Sequence, residues 1–270
     1  MVKAGPARCH DRRVERTSVR SALRQTNPGP GGSRTIRQEN DEVPVSEIFF
    51  SIQGEGIHSG TPSVFLRTFY CNLTCAWCDT KYTWLNQNVA EPGVHYELMK
   101  VEVILQKIVS FGCKHLVITG GEPLLHQNLL VPLISRLKAA CFFVEIETNG
   151  TIAPTEKLLE QVDCFNVSPK IGNSLVQESV RIRPGSLRGF ALSDKAWFKF
   201  VVRDPDDLVE IDRLLSAQGI LRERVLLMPE GIDAATISER SRWLVEICKE
   251  RGFRFTPRLH IMLFGNARGK

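Results

Sequence analysis

From about residue 45 the apolar positions alternate between two spacings. Short runs rich in Val, Ile and Phe predict strands over 46–52 ("SEIFFSI"), 63–69, 115–119, 142–147, 164–167, 197–202, 224–228 and 253–256. Between them, apolar residues three and four apart predict helices over 97–111, 124–140, 154–161, 206–218 and 236–251. Single strands alternating with helices are the pattern of parallel βα units, because a parallel neighbour needs a crossover that carries the chain back. Several predicted strands end in small or polar residues: "TGGEP" at 119–123, "TNGT" at 148–151, "SPK" at 168–170 and "MPEG" at 228–231. Ligands of parallel α/β folds bind at the carboxyl ends of the strands, so these turns are expected to converge on one mouth.

The first 44 residues break the pattern. They hold few apolar residues and a Pro/Gly knot, "NPGPGGS" at 27–33, a composition that cannot offset its own ordering entropy, so the leader (1–44) is expected to be disordered. The formal charge of +5 comes from this leader: residues 1–40 carry nine Lys/Arg against three acids, which leaves −1 for the rest. The basic balance is therefore no guide to what the domain binds, and no nucleic-acid partner is expected. No apolar run approaches the roughly 20 residues that span a bilayer, so no membrane partner is expected either. The leader has no apolar core of a secretory signal, while its Arg-rich, acid-poor character leaves an organellar transit peptide open. Residues 45–270 read as one domain.

Chemistry concentrates in "CNLTCAWCDT" (71–80), directly after a predicted strand. With eight cysteines, three of them clustered, and no export signal, the chain points to metal in a reducing, cytoplasmic compartment rather than to disulfides. Cys113, Cys141, Cys164 and Cys248 lie in or beside apolar stretches and read as core packing. Spacing alone leaves two readings of Cys71, Cys75 and Cys78. One is a zinc site completed by His95, His115, His126 or His260; the other is an iron–sulfur cluster with one iron open to an exogenous ligand.

Cys-x₃-Cys-x₂-Cys after a barrel strand, with Trp77 just before the last cysteine, resembles the radical S-adenosylmethionine superfamily. The resemblance implies a partial (β/α)6-type α/β barrel, complete or abbreviated. In it Cys71, Cys75 and Cys78 hold a [4Fe-4S] cluster whose fourth iron takes the amino and carboxylate groups of S-adenosyl-L-methionine. It also assigns cofactor binding to Trp77, Cys78, Asp79, Gly120, Gly121, Glu122, Asn149, Ser168, Pro169 and Lys170. The residue chemistry agrees: a glycine pair permits close backbone approach and Glu122 can accept from an ammonium group. A tight strand-to-helix turn with Pro123 at an early helical position explains the same peptide.

The stretch "EIFFSIQGEGIHSGTPSVFLRTFYCNLTCAWCDT" (47–80) and the tail "TPRLHIMLFGNARG" (256–269) are similar to the 7-carboxy-7-deazaguanine synthase family of queuosine-precursor biosynthesis, and with the middle turns the likeness spans about 45–270. It implies conversion of 6-carboxy-5,6,7,8-tetrahydropterin to 7-carboxy-7-deazaguanine with loss of ammonia, begun by a 5′-deoxyadenosyl radical. It implies substrate contacts at Ile52, Gln53, Gly54, Glu55, Arg67, Thr119 and His260, and Mg²⁺ at Thr80. A pyrimidine-like edge needs donors and acceptors of the kind Gln53 and Glu55 offer. Arg67 shares a strand face with Phe65 and Phe69, and a barrel interior would demand a partner for it, such as a carboxylate. Arg258 is a further candidate for that carboxylate, and "NARGK" (266–270) reads as a loose end. A low-potential electron donor of flavodoxin or ferredoxin type and a homodimer are the implied partners. A glycyl-radical activase would leave "SIQGEG" and "CDT" unexplained, and a zinc or RNA-binding module would give one tightly held zinc and no brown colour.

Overall fold

The computed structural model describes residues 42–85 and 96–270. In chain order the elements are β1 (Glu42–Ile52), β2 (Pro62–Thr68), β3 (Glu97–Lys100), α1 (Val101–Ser110), β4 (His115–Gly120), α2 (Gln127–Ala139), β5 (Phe143–Thr148), α3 (Glu156–Gln161), β6 (Cys164–Val167), α4 (Glu178–Arg181), α5 (Pro184–Ala191), β7 (Ala196–Val202), α6 (Asp207–Gln218), β8 (Val225–Pro229), α7 (Ala234–Arg251), β9 (Arg254–Phe255) and α8 (Leu259–Phe264). The strands form one sheet in the order β3-β1-β2-β4-β5-β6-β7-β8-β9. From β2 to β9 every pair is parallel, whereas β1 runs antiparallel to both β2 and β3. The parallel strands β2 and β4 to β8, with their crossover helices, make a partial (β/α)6-type barrel left open at its edges. No helix among the described residues is long and apolar enough to cross a membrane.

Alternation along each parallel strand makes two different faces, because successive side chains point to opposite sides. Val64, Leu66, Leu116, Ile118, Val144, Ile146, Phe165, Val167, Phe198, Phe200 and Leu227 belong to one apolar core, shared with Ile104, Leu133, Phe190, Ile211 and Leu244 of the helices. The intervening positions carry Arg67, Thr119, Glu145, Glu147, Asn166 and Lys199. This second, concave face is buried yet polar, with Glu145 and Asn166 fully covered and Lys199 nearly so. Burial of ionised groups is costly unless they are paired, so the concave face is where partners have to be found.

Three expectations need correction. Residues 97–100, read as the start of a helix, form β3 because they pair with Glu42 to Val45 of β1; Met99 is buried and Leu98 exposed, the period of a strand. β1 begins at Glu42, so residues 42–44 belong to the sheet and not to the leader. Helices α4, α5 and α8 have no counterpart in the apolar spacing, being short and, in α5, interrupted by Gly185 and Gly189. The rest of the leader and His95 lie outside the described residues.

Candidate functional site

The site begins where β2 leaves the sheet. Tyr70 turns the chain with φ at 74°, unusual for a bulky side chain. Two hydrogen bonds hold that turn: Tyr70 N–H donates to Thr83 O at 2.8 Å, and Tyr70 O accepts from Glu122 N–H at 2.8 Å. The cysteine loop is thus clamped between a 3₁₀ turn at Lys81–Thr83 and the turn after β4. Leu73 N–H points to Cys71 Sγ at 3.5 Å and the Trp84 indole N–H to Cys78 Sγ at 3.2 Å, an environment that favours thiolates once a metal offsets their burial. In the metal-free chain burial pushes the Cys71 thiol up to about 12 and raises that of Cys75 as well.

Among the described residues the cysteine sulfurs are not gathered at the spacing that one zinc ion requires. Four ligands around one zinc sit roughly 3.8 Å apart for Zn–S bonds of about 2.3 Å. Among the described residues, groups of three donor atoms within 4.8 Å of one another are His58–Glu145–Cys164 and Glu55–Asp79–His260, and the cysteine trio is neither of them. Two of the candidate histidines are turned elsewhere, and His260 sits against Glu55 and Asp79. His126 is engaged by Phe69 O at 2.8 Å, and His115 starts β4, at the end of the strand away from the loop.

The glycine pair is required by the protein's own packing. A Cβ on Gly121 would lie 1.9 Å from Tyr70 O, and one on Gly120, whose φ is 132°, 2.2 Å from Thr68 O. The exits of β2 and β4 therefore touch backbone to backbone, and neither neighbour can swing aside. Gly121→Ala is expected to displace the cysteine loop, costing about 1–3 kcal/mol and lowering the iron retained per chain. Gly185→Ala, with nothing within 4 Å of its added Cβ, is expected to leave iron content unchanged. Denaturation midpoints and iron analysis of the two variants side by side check this.

A cavity of about 390 Å³ opens over these turns. Its wall includes Cys71, Cys75, Cys78, Trp77, Thr80, Gly120, Gly121, Asn149, Ser168 and Lys170 around the cysteine loop, and Ile52, Gln53, Gly54, Glu55, Arg67, Thr119 and His260 beyond it, with Asp79 close to Glu55 and His260. Nearly every residue singled out in the sequence thus meets in one space. Glu122 and Pro169 are the exceptions. The Glu122 carboxylate is fully buried behind the wall, accepting from Leu124 N–H (3.0 Å), Thr148 Oγ1 (2.8 Å) and Asn149 N–H (2.7 Å). It ties the turn after β4 to the turn after β5, and burial raises its pKa. Asn149 is similarly committed, donating to Asn72 Oδ1 at 2.9 Å and accepting from Thr151. Lys170 donates to Ser168 Oγ at 2.9 Å and lies 5.3 Å from the Trp77 ring centre, which leaves it at the cysteine end of the cavity.

At the far end the polar residues form a charge network. Glu55 is bridged by Lys199 and by Arg258 Nε at 3.1 Å, and Arg258 also pairs with Asp79 and donates to Gly231 O. Two carboxylates thus meet two cations, a balance that a buried site requires. Burial by itself would raise the Glu55 carboxyl, but the charges of Lys199, Arg258 and His260 hold it well below the ordinary range. Burial opposes ionisation of Asp79 as well, but Arg258, His260 and Arg67 together hold its carboxyl below the ordinary value. Gln53 differs from expectation: its side-chain amide donates to Glu145 at 2.8 Å and Glu147 at 3.2 Å, while its backbone bonds to Thr61 and Gly60 close the loop. Gly54 O accepts from Leu259 N–H, so this backbone is also spent inside the protein. Arg67 donates through Nε to Glu47 at 2.7 Å, which leaves its planar fork oriented along the wall. The Thr80 hydroxyl makes no cap hydrogen bond to the 3₁₀ turn and stands on the wall.

Lys199 and Glu147 are wall residues that sequence reasoning passed over, while Arg258, a candidate for the substrate carboxylate, pairs with Glu55 and Asp79. For Lys199 a signal existed: "WFKFVV" places a cation inside an apolar strand, the same argument that singled out Arg67. The tail is corrected too, since residues 266–270 line the cavity and Arg268 covers the Tyr82 ring at 4.3 Å while approaching Glu47 at 3.5 Å. Cys141, expected in the core, is exposed at the end of α2.

A parallel barrel carrying three cysteines in one loop at its mouth defines a radical S-adenosylmethionine protein, and residues 65–191 match the Radical SAM superfamily profile. The chain is 42% identical over 228 residues to 7-carboxy-7-deazaguanine synthase of Pyrobaculum aerophilum, covering 84% of this chain and 97% of that protein. It is 38% identical to the enzyme of the same name from Halobacterium salinarum over 251 residues, covering 83% and 91%. The crystal structure of QueE from Escherichia coli superposes with a TM-score of 0.64 at 27% identity, covering 83% of this chain and all of that one. The chain belongs to the 7-carboxy-7-deazaguanine synthase family.

Proposed function

We propose that this protein converts 6-carboxy-5,6,7,8-tetrahydropterin to 7-carboxy-7-deazaguanine with loss of ammonia; the product is the one that the names of its relatives print. The observation that carries the reading is a cavity lined both by the cysteine loop and by the charged, hydrogen-bonding array from β1, β2, β5 and β7 and their exits. Family membership gives the resident groups, a [4Fe-4S] cluster and S-adenosyl-L-methionine. When bound, they supply one-electron reductive cleavage and a radical able to remove hydrogen from carbon.

Cys71, Cys75 and Cys78 would hold the cluster. Trp77, Asp79, the 119–121 turn, Ser168 and Lys170 would line the cofactor's side. The donor-rich edge of the pterin finds an acceptor in Glu147, which has lone pairs to spare beyond Gln53 and Thr119. Arg67, its Nε held by Glu47, presents the rest of its fork to the substrate carboxylate. Phe49 and Phe65, stacked at 5.0 Å on the wall, together with Val201 and Met228, keep water from the reacting centre. Burial lowers the His260 pKa against the pull of Glu55, and its ring lines the wall beside that carboxylate.

Mg²⁺ would bind at the Thr80 hydroxyl with substrate oxygens completing the shell, since one neutral oxygen is a weak site alone. The electron donor is of flavodoxin or ferredoxin type, the compartment cytoplasmic, and the active unit a homodimer. The test is anaerobic: the reconstituted chain with S-adenosyl-L-methionine, a low-potential reductant, Mg²⁺ and the pterin, with 7-carboxy-7-deazaguanine read by mass. Thr80→Val is expected to raise the pterin KM about tenfold, roughly 1.4 kcal/mol, and to weaken the response to added Mg²⁺. Cleavage of the cofactor without this product would overturn the substrate assignment.

A further inference from the structure

A second set of metal-type donors lies on the concave face at the opposite ends of the strands, outside the cavity. His58 comes from the loop between β1 and β2, His115 begins β4, Glu145 is in β5 and Cys164 begins β6. One atom each of His58, Glu145 and Cys164 lies within 4.8 Å of the others. His58 Nδ1 is 2.5 Å from Glu145 Oε2, and His115 Nε2 is 3.7 Å from that same oxygen. Glu145 Oε1 is already occupied by Gln53 Nε2 at 2.8 Å and Asn166 Nδ2 at 2.5 Å. Its second oxygen is the one that faces the two imidazoles.

The Ser63 hydroxyl lies 2.9 Å from Thr61 O and 2.6 Å from His115 Nδ1, and its one proton serves only one of these two acceptors. With that proton on Thr61 O, His115 is protonated at Nδ1 and offers its Nε2 lone pair to a metal. Nε2 is buried with no hydrogen-bond partner among the described residues, 3.7 Å from a carboxylate oxygen. A buried ring nitrogen left unpaired beside a carboxylate is unfavourable, and a cation between the two would satisfy both. An ion pair between protonated His58 and Glu145 would satisfy those two groups but would leave His115 as it is.

We propose that His58, Glu145 and Cys164, whose donor atoms are already gathered, bind one zinc ion, and that His115, outside that group but 3.7 Å from Glu145 Oε2, closes on it as the fourth ligand, a structural site distinct from the iron–sulfur cluster. Two imidazoles, a carboxylate and a thiolate are a closed tetrahedral set for zinc, and the Ser63 contact is the outer-shell hydrogen bond that orients a ligating histidine. Binding releases the Cys164 thiol proton to solvent, and the site is then electroneutral: one 2+ ion against one carboxylate and one thiolate. His58 Nδ1 and Glu145 Oε2 have to part to about 3.3 Å for both to ligate. His58 sits on a loop with its side chain 27% exposed, which gives it room. The ion would pin the 53–61 loop to three strands and, through Glu145, fix the Gln53 amide between Glu145 and Glu147.

The test is made on the cluster-loaded chain, incubated with one equivalent of ZnCl₂, desalted, and measured for zinc and iron, with zinc-edge X-ray absorption on the same sample. One zinc per chain is expected, with a single sulfur neighbour at about 2.3 Å and nitrogen or oxygen at about 2.0–2.1 Å. His58→Ala and Cys164→Ala should each lower retained zinc by about tenfold or more while iron stays constant. If Cys164→Ala does not fold, the loop variant His58→Ala decides. Zinc that washes away from the wild type, that shows three sulfur neighbours, or that persists undiminished in the variants would overturn the site. None of these readouts uses turnover, so the catalytic assignment stands or falls separately.

Discussion

Cys75→Ala is expected to reduce formation of 7-carboxy-7-deazaguanine at least a thousandfold, a loss of roughly 4 kcal/mol or more in barrier terms. With one of three protein thiolates gone, an iron of the cluster has no protein ligand, and iron per chain should fall with turnover. The fold should survive, because Cys75 sits in a loop whose path is set by backbone bonds such as Ala76 N–H to Ser174 O at 3.0 Å and Tyr70 N–H to Thr83 O. Cys248→Ala is the matched control. That thiol is buried in α7 against the apolar core, so its removal should cost about 1 kcal/mol of stability and leave turnover intact. Iron analysis and product formation measured side by side separate the two, and a Cys75→Ala enzyme that still turns over at wild-type rate would sink the cluster assignment.

Glu55→Gln should be the most damaging change for the fold itself. It leaves Lys199, almost fully buried, and Arg258 without the carboxylate between them. Removing one partner from a buried ionic network costs about 3–5 kcal/mol, because the remaining charge cannot return to water. The pH dependence follows from the direction of the shift. The folded Glu55 carboxyl titrates below its ordinary value of 4.5, so its contribution is fully present above that value and is lost as the pH falls below it. Wild-type stability should therefore decline below about pH 4.5, and Glu55→Gln should show a lower denaturation midpoint at pH 7 with a shallower acid limb. Equal midpoints for the two proteins at neutral pH would mean that the network is not balanced by Glu55. Glu55→Asp, which keeps the charge but shortens the reach, should fall between them.

The strands were legible because each is a local run: buried parallel strands need apolar residues on the helix-facing positions whatever surrounds them. The polar exceptions inside those runs were legible too, though they were used unevenly. Arg67 in "VFLRTF" was taken up and Lys199 in "WFKFVV" was not, although both are cations on the concave face of a strand. Glu145 and Glu147, alternating with Val144 and Ile146, could have been read the same way. The internal partners of Glu122 were out of reach for a different reason. Its peptide is the one expected for cofactor binding, but its carboxylate is spent on Asn149, Thr148 and Leu124, groups whose nearness depends on β4 and β5 lying side by side.

By itself the sequence determined the βα order, the two-faced strands, the three-cysteine loop at a strand exit and the polar peptides that end the strands. All of these follow from periodicity and spacing over a few residues. Only the tertiary structure decided which charges meet. Glu55 finds Arg258 across 203 positions and Lys199 across 144, and Gln53 reaches Glu145 across 92. Such pairings are set by sheet order and register, which place distant strands at adjacent positions of one concave face. Tertiary structure likewise separated His115 from the cysteines and set it beside His58, Glu145 and Cys164, because a strand's first and last residues face opposite ends of the barrel.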